Sequence, residues 1–175
     1  VGGAFSYTDG EGKFSNGSAD SDGYSLAAYL SGFFDCGGYV DFVGRIGRLS
    51  TDITAYSDAS EFKGAYNNTT FGLSAEVGYH WKLNDTFYVE PQAELAYGFV
   101  KGDDFTGAND VRVEQDDFQT LVGRIGARIG ASFADGAGTV YAHASVNHDF
   151  LGDADYTASL GSASRDLSVD IGGTW

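Results

Sequence analysis

The chain reads as all-β, an antiparallel up-and-down transmembrane barrel with about eight strands present. Three observations predict this. First, from Phe87 to Val100 every second residue is apolar or aromatic: Phe87, Val89, Pro91, Ala93, Leu95, Tyr97 and Phe99. The residues between them, Tyr88, Glu90, Gln92, Glu94, Ala96 and Gly98, are polar or small. Such alternation is a strand with two different faces. Second, the segment exceeds the roughly 5–6 residues usual in globular sheets and suits a tilted bilayer crossing of roughly 9–11. Third, the links between alternating segments are in turn short and then long and acidic, the pattern of short periplasmic turns and longer external loops.

Taken in order, the first strand is short, Val1 to Thr8, with Val1, Gly3, Phe5 and Tyr7 on one face. The polar stretch Asp9 to Asp22 reads as a solvated loop. The second strand, Gly23 to Phe34, carries Tyr24, Leu26, Ala28, Leu30 and Phe34 on one face, and Asp35-Cys36-Gly37-Gly38 reads as a tight turn. The third runs from Tyr39 past Leu49, with Val40, Phe42 and Ile46 opposite Asp41 and Arg45. A polar link, about Thr51 to Asn68, leads to the fourth, Thr69 to Leu83. There Phe71, Leu73, Ala75, Val77, Tyr79, Trp81 and Leu83 oppose Gly72, Ser74, Glu76, Gly78, His80 and Lys82. Trp81 is placed to anchor at the periplasmic interface. Asn84-Asp85-Thr86 turns into the fifth strand, Phe87 to Val100, which ends in an acidic loop, Lys101 to Asp110. Pro91 has no N–H to give, so it predicts an edge, a bulge or a broken register.

The sixth strand, Thr120 to Phe133, sets Leu121, Ile125, Ala127, Ile129, Ala131 and Phe133 against Arg124 and Arg128. The seventh, Thr139 to Phe150, sets Val140, Ala142, Ala144, Val146, His148 and Phe150 against Tyr141, His143, Ser145, Asn147 and Asp149. After a loop from Leu151 to Ser164, Leu167, Val169, Ile171 and Trp175 alternate with Asp166, Ser168 and Asp170 as the eighth.

With 175 residues, one domain is expected. No run of about 18 apolar residues offers a helical span, which leaves barrel strands untouched because alternation hides their lipid face. The 26 glycines and an aromatic content of 15 % suit a barrel. The net charge of −15 argues against a nucleic-acid partner. The single Cys36 can form neither an internal disulfide nor a four-thiolate metal site. Asp20-Ser21-Asp22-Gly23 lacks the other ligand positions of a calcium loop, so no metal site and no cofactor is expected. The chain starts at Val1 without a signal peptide, so it is read as a piece of a longer protein.

Several segments resemble a known family. Tyr88-Val-Glu-Pro-Gln-Ala-Glu-Leu-Ala-Tyr-Gly resembles the characteristic strand of the autotransporter β-domain, the translocator of type V secretion, and Leu121-Val-Gly-Arg-Ile-Gly-Ala-Arg-Ile-Gly resembles the strand after it. Glu76-Val-Gly-Tyr and Tyr39-Val-Asp-Phe-Val match as well. The resemblance implies a twelve-stranded barrel integral to the bacterial outer membrane. Residues 1–175 would be its third to tenth strands, without the passenger, the linker helix and the terminal strands. It implies as partners the chain's own passenger and linker, the barrel-assembly machinery during insertion and outer-membrane lipids. The function implied is to carry or anchor an N-terminal passenger across that membrane, with no enzyme activity on other molecules. Missing terminal strands would leave two unpaired edges, which hydrocarbon does not tolerate, so those edges are expected to pair with something.

Candidate pore-lining residues are Asp41, Arg45, Glu76, Lys82, Glu90, Glu94, Arg124 and Arg128. Glu94 and Arg124 lie on adjacent strands and could pair. These charges suffice to brace and hydrate a polar pore. In one self-cleaving branch of the family, lumenal acids promote cyclisation of a linker asparagine, and Asp41, Glu76 and Glu94 match those positions.

Two alternatives stay open. One is a small closed eight-stranded barrel, an adhesin or structural anchor, in which the residues before Trp175 act as a terminal assembly signal. The other, less favoured, is an outer-membrane lipid hydrolase using His143, Ser145 and Asp149. Positions two apart on a strand face are about 7 Å apart, whereas triad members must come within about 3 Å.

Overall fold

A computed structural model describes residues 1–57, 60–107, 110–133, 137–160 and 162–170. Among the described residues the strands are β1 (Gly2–Phe14), β2 (Gly17–Phe33), β3 (Gly38–Ser57), β4 (Ser60–Tyr79), β5 (Trp81–Lys82), β6 (Phe87–Lys101), β7 (Phe105–Thr106), β8 (Arg112–Gln115), β9 (Phe118–Phe133), β10 (Gly138–Asp149), β11 (Asp153–Leu160) and β12 (Ala163–Asp170). All pairings are antiparallel. The main sheet is a meander, β1-β2-β3-β4-β6-β9-β10, with β5 extending the pairing on β6. A second sheet, β12-β11-β8-β7, lies in the segments that follow β6 and β10. Among the described residues β1 and β10 pair with no further strand, so the main sheet stays open.

The polar stretches expected as loops are largely strand. Asp9 pairs with Asp22 and Glu11 with Asp20, carrying the β1–β2 ladder to Phe14 and Gly17. Thr51 pairs with Tyr66, and β3 and β4 run to Ser57 and Ser60. On β1 and β2 both faces are polar here, and on β3 and β4 the apolar residues Ile53, Ala55, Phe62 and Tyr66 move to the face that carries Asp41 and Glu76, so the inner period-two pattern is lost while backbone pairing continues. Alternation reports one-sided burial, and the ladder needs none. The eighth expected strand also differs. Leu167 pairs with Tyr156 of β11 in the second sheet, not with the main sheet. Ile171 and Trp175 lie outside the described residues.

Pro91 interrupts the ladder without shifting it. Gly78 sits opposite Gln92 before the gap, and Trp81 opposite Val89 after it. The missing proline N–H accounts for the break between β4 and β5.

The sheet has almost no core of its own. Tyr88 is the one buried large hydrophobic residue among those described. Instead the apolar face is bare: Leu26, Phe42, Ile46, Leu73, Val77, Leu95, Ile129 and Val146 are all exposed, and Ile125 is 61 % exposed. These residues oppose one another across consecutive strands, as in the row Leu26, Ile46, Phe71, Phe99. A soluble sheet would cover such a face, because contiguous apolar patches of this extent are not left in water. Trp81, Phe87 and Phe133 mark its short-turn end. No helix among the described residues is long and apolar enough to cross a membrane.

Candidate functional site, the charged face of the sheet

The opposite face holds the eight candidate residues. Asp41 lies across from Glu76, Glu76 from Glu94, and Glu94 from Arg124, so one row crosses β3, β4, β6 and β9. Glu90 lies across from Arg128 four residues along. Directly opposed residues share a face, so three carboxylates stand side by side with one guanidinium at the end.

Arg124 serves two of them. Its Nη2 donates to Glu76 Oε2, and its Nη2 and Nε donate to Glu94 Oε2 at 2.7 and 2.8 Å. The three side chains are 28 %, 19 % and 24 % exposed, dry enough that each pairing matters. Asp41 has no hydrogen bond or ion pair among the described residues. Arg45, four residues along, donates from Nε to Ser25 Oγ at 3.1 Å instead. Lys82 pairs through its backbone with Tyr88 and is exposed at the rim.

A second cluster sits nearer the short turns, around Glu90, which is only 7 % exposed. Arg128 Nη1 donates to its Oε1 at 3.0 Å, Gln92 Nε2 to the same oxygen at 3.0 Å, and His80 Nδ1 lies 3.0 Å from Oε2. The Tyr39 hydroxyl donates to Glu76 at 3.0 Å and accepts from Gln92 at 2.8 Å, tying the clusters together. Arg128 also lies over the Tyr141 ring, 4.8 Å from its centroid.

Glycines make room for this. The Tyr39 and Tyr88 rings lie flat across Gly78 and Gly130 of the neighbouring strands, where any Cβ would collide with them. Gly37 has φ +97° in the turn after β2, and its carbonyl accepts from the His80 N–H at 2.8 Å, which fixes His80 beside Glu90.

Sequence reading did not single out Tyr39, His80, Gln92 and Tyr88 as site residues. Strand parity could have found all four, since each shares the face of Asp41, Glu76 or Glu90. The hydrolase arrangement is not assembled. Asp149 Oδ1 accepts from the backbone N–H groups of Leu121 and Leu151 at 3.0 and 3.1 Å, and no hydrogen bond joins it to His143 or Ser145. The 7 Å spacing along one strand face accounts for this. No cluster of three metal-ligating side chains occurs among the described residues. Cys36 is exposed in its turn.

Comparison with known proteins agrees with this architecture. The family model described as "Autotransporter beta-domain" matches residues 1–175. The chain is 32 % identical over 148 residues to the serine protease Pet autotransporter of Escherichia coli O44:H18, covering 82 % of this chain and 11 % of that protein. It is 32 % identical over 157 residues to the pertactin autotransporter of Bordetella parapertussis, covering 87 % of this chain and 17 % of that one. The chain thus spans well under a fifth of these relatives' length. The solved β-domain of the Bordetella autotransporter BrkA superposes with a TM-score of 0.73 at 25 % identity, covering 95 % of this chain and 75 % of that one. An open meander with a bare apolar face and a charge-laced opposite face thus meets family and structural matches over nearly its full length, and the chain belongs to the autotransporter β-domain family.

Proposed function

We propose that this chain forms part of the translocator barrel of an autotransporter, integral to the bacterial outer membrane, which carries or anchors an N-terminal passenger domain across that membrane. The observation that carries the reading is the two-faced sheet, with an apolar face that has no protein cover and a charged face braced by cross-strand ion pairs. Hydrocarbon satisfies the first and a watery lumen the second. The seven long strands of the main sheet would fall within the third to tenth of twelve, and further strands would close the open edges at β1 and β10. Insertion would use the barrel-assembly machinery. The test is display of the passenger by the full-length protein. Protease added to intact cells should remove the passenger and leave a heat-modifiable barrel band. A passenger retained inside the cell beside a normally folded barrel would overturn the reading.

A second activity has one observation in its favour. Asp41, Glu76 and Glu94 form one unbroken row across three strands. We propose that, if an asparagine of the linker lies against this row, the acids promote its cyclisation and release the passenger. A protonated carboxyl that donates to the asparagine's own main-chain carbonyl favours attack there by the side-chain nitrogen, which closes a succinimide, breaks the peptide bond to the next residue and releases that residue's amine with the proton the side-chain nitrogen gives up. Spontaneous appearance of free barrel in the full-length protein, lost in Asp41→Asn, is the expected result. Cleavage unchanged in Asp41→Asn, Glu76→Gln and Glu94→Gln would remove the proposal.

A further inference from the structure

The charged face carries an open pocket of about 450 Å³ at its short-turn end, within the range of ordinary ligand sites. Its walls include Phe33, Tyr39, Asp41, Glu76, Glu90 and Arg128. Most of its charge is already matched. Glu76 has Arg124 and the Tyr39 hydroxyl, and Glu90 has Arg128, His80 and Gln92. Asp41 alone among these acids has no partner within the described residues, and it stands directly opposite another carboxylate, Glu76. Like charges opposed across a ladder repel, and the three carboxylates of the row share one guanidinium, so Asp41 is left without a cation.

An aromatic ring stands beside the deficit. Phe33 pairs with Tyr39, one step along the polar face from Ser31 and Asp41. Its side chain is 79 % exposed, and its ring lies 6.4 Å from that of Tyr39. An exposed phenyl ring next to an unpartnered carboxylate, in a cavity whose other acids already have partners, suits a planar cation. A guanidinium can bind the carboxylate through two N–H donors and lay its face on the ring.

We propose that this cavity receives an arginine side chain from the polypeptide segment that occupies the lumen, with the guanidinium on Asp41 and stacked on Phe33. The inference rests on the translocator reading and specifies one contact within it. Arginine is favoured over lysine because its flat, weakly hydrated head matches both walls at once.

The test uses the full-length protein in its outer membrane, with the photo-reactive residue p-benzoylphenylalanine at position 33 or, as a second variant, at 31. Folded barrel is monitored by heat-modifiable mobility and the passenger by protease added to cells. After irradiation, the captured peptide is sequenced by mass spectrometry. We expect both positions to capture one segment of the same chain at or next to an arginine. Adding Asp41→Asn should lower the yield roughly tenfold, the loss of a charge-assisted pair, while Glu114→Gln, on the exposed second sheet, leaves it unchanged. A displayed passenger with capture at a segment lacking arginine, with no capture, or with capture indifferent to Asp41→Asn, overturns the arginine site and leaves the translocator. A folded barrel with no displayed passenger overturns the translocator reading and this inference with it.

Discussion

The two halves of the long strands obey different rules. Toward the short turns, one face is apolar and the other charged, and the ion pairs run across strands between partly buried groups, as Arg124 does to Glu76 and Glu94. Beyond Thr8 on β1 the pairing continues with polar residues on both faces, and beyond about Asn68 on β4 the apolar residues Phe62 and Tyr66 lie on the opposite face from the inner apolar row. There, and in the second sheet, the ion pairs are exposed and mostly run along a single strand, Lys13 with Glu11, Lys63 with Glu61 and Arg112 with Glu114, with Arg112 also reaching Asp104. What orders the outer half is local. Phe105 stacks on Tyr66 at 5.2 Å and lies 6.4 Å from Phe62, and Asn68, 5 % exposed, donates to the Lys101 carbonyl and to Gln115. One backbone ladder thus serves two solvents, and the side chains change where the solvent does.

The contrast can be broken most sharply by placing a charge on each half. Ile125→Arg puts a cation on the bare apolar face near mid-strand and should cost about 2–4 kcal/mol of barrel stability. Gly10→Arg, on the outer half of β1 where a Cβ meets open space, should change it by less than about 0.5 kcal/mol. The folded fraction of full-length protein in a detergent urea titration reads both. Equal effects would erase the distinction.

Next in size are the ion pairs. Arg124→Gln leaves Glu76 and Glu94 facing each other and should cost about 2 kcal/mol, less than a fully buried pair because water reaches each partner. Arg112→Gln, whose partners are about half exposed, should cost under about 1 kcal/mol in the same titration.

Gly37→Ala should cost about 1–2 kcal/mol, since the new Cβ would adopt a left-handed backbone and press on the His80 carbonyl. The smallest global effect is expected from Phe105→Ala. It should leave the urea midpoint nearly unchanged and speed protease nicking between residues 102 and 117, where the outer aromatic cluster holds the segment against β4.

Much of the inner half was legible because a lipid face and a water face impose a period of two. Phe87 to Val100 and Thr69 to Leu83 carry it cleanly, and the Glu94–Arg124 pair follows from adjacency alone. The outer half was illegible for the same physical reason. Asp9, Glu11, Asp20 and Asp22 are good loop residues, and nothing in their polarity reveals that they pair in register. The end of the chain misled differently. Leu167 and Val169 alternate with polar residues as an inner strand would, yet β12 pairs with β11 in the outer sheet. At the charged face, charges announced themselves, whereas the roles of Tyr39 and Gln92 depend on glycines across the ladder that let a ring lie flat.

The measurement that bears most directly on the account is substituted-cysteine accessibility in the full-length protein, in a Cys36→Ser background in the outer membrane. Single cysteines at Leu73, Ser74, Ala75 and Val77 sample the inner half of β4, and those at Asp9, Gly10 and Glu11 the outer half of β1. A water-soluble maleimide should label Ser74→Cys and spare the other three inner positions, and it should label all three outer positions alike. Uniform labelling of the inner positions, or alternation persisting through Asp9 to Glu11, would contradict the account.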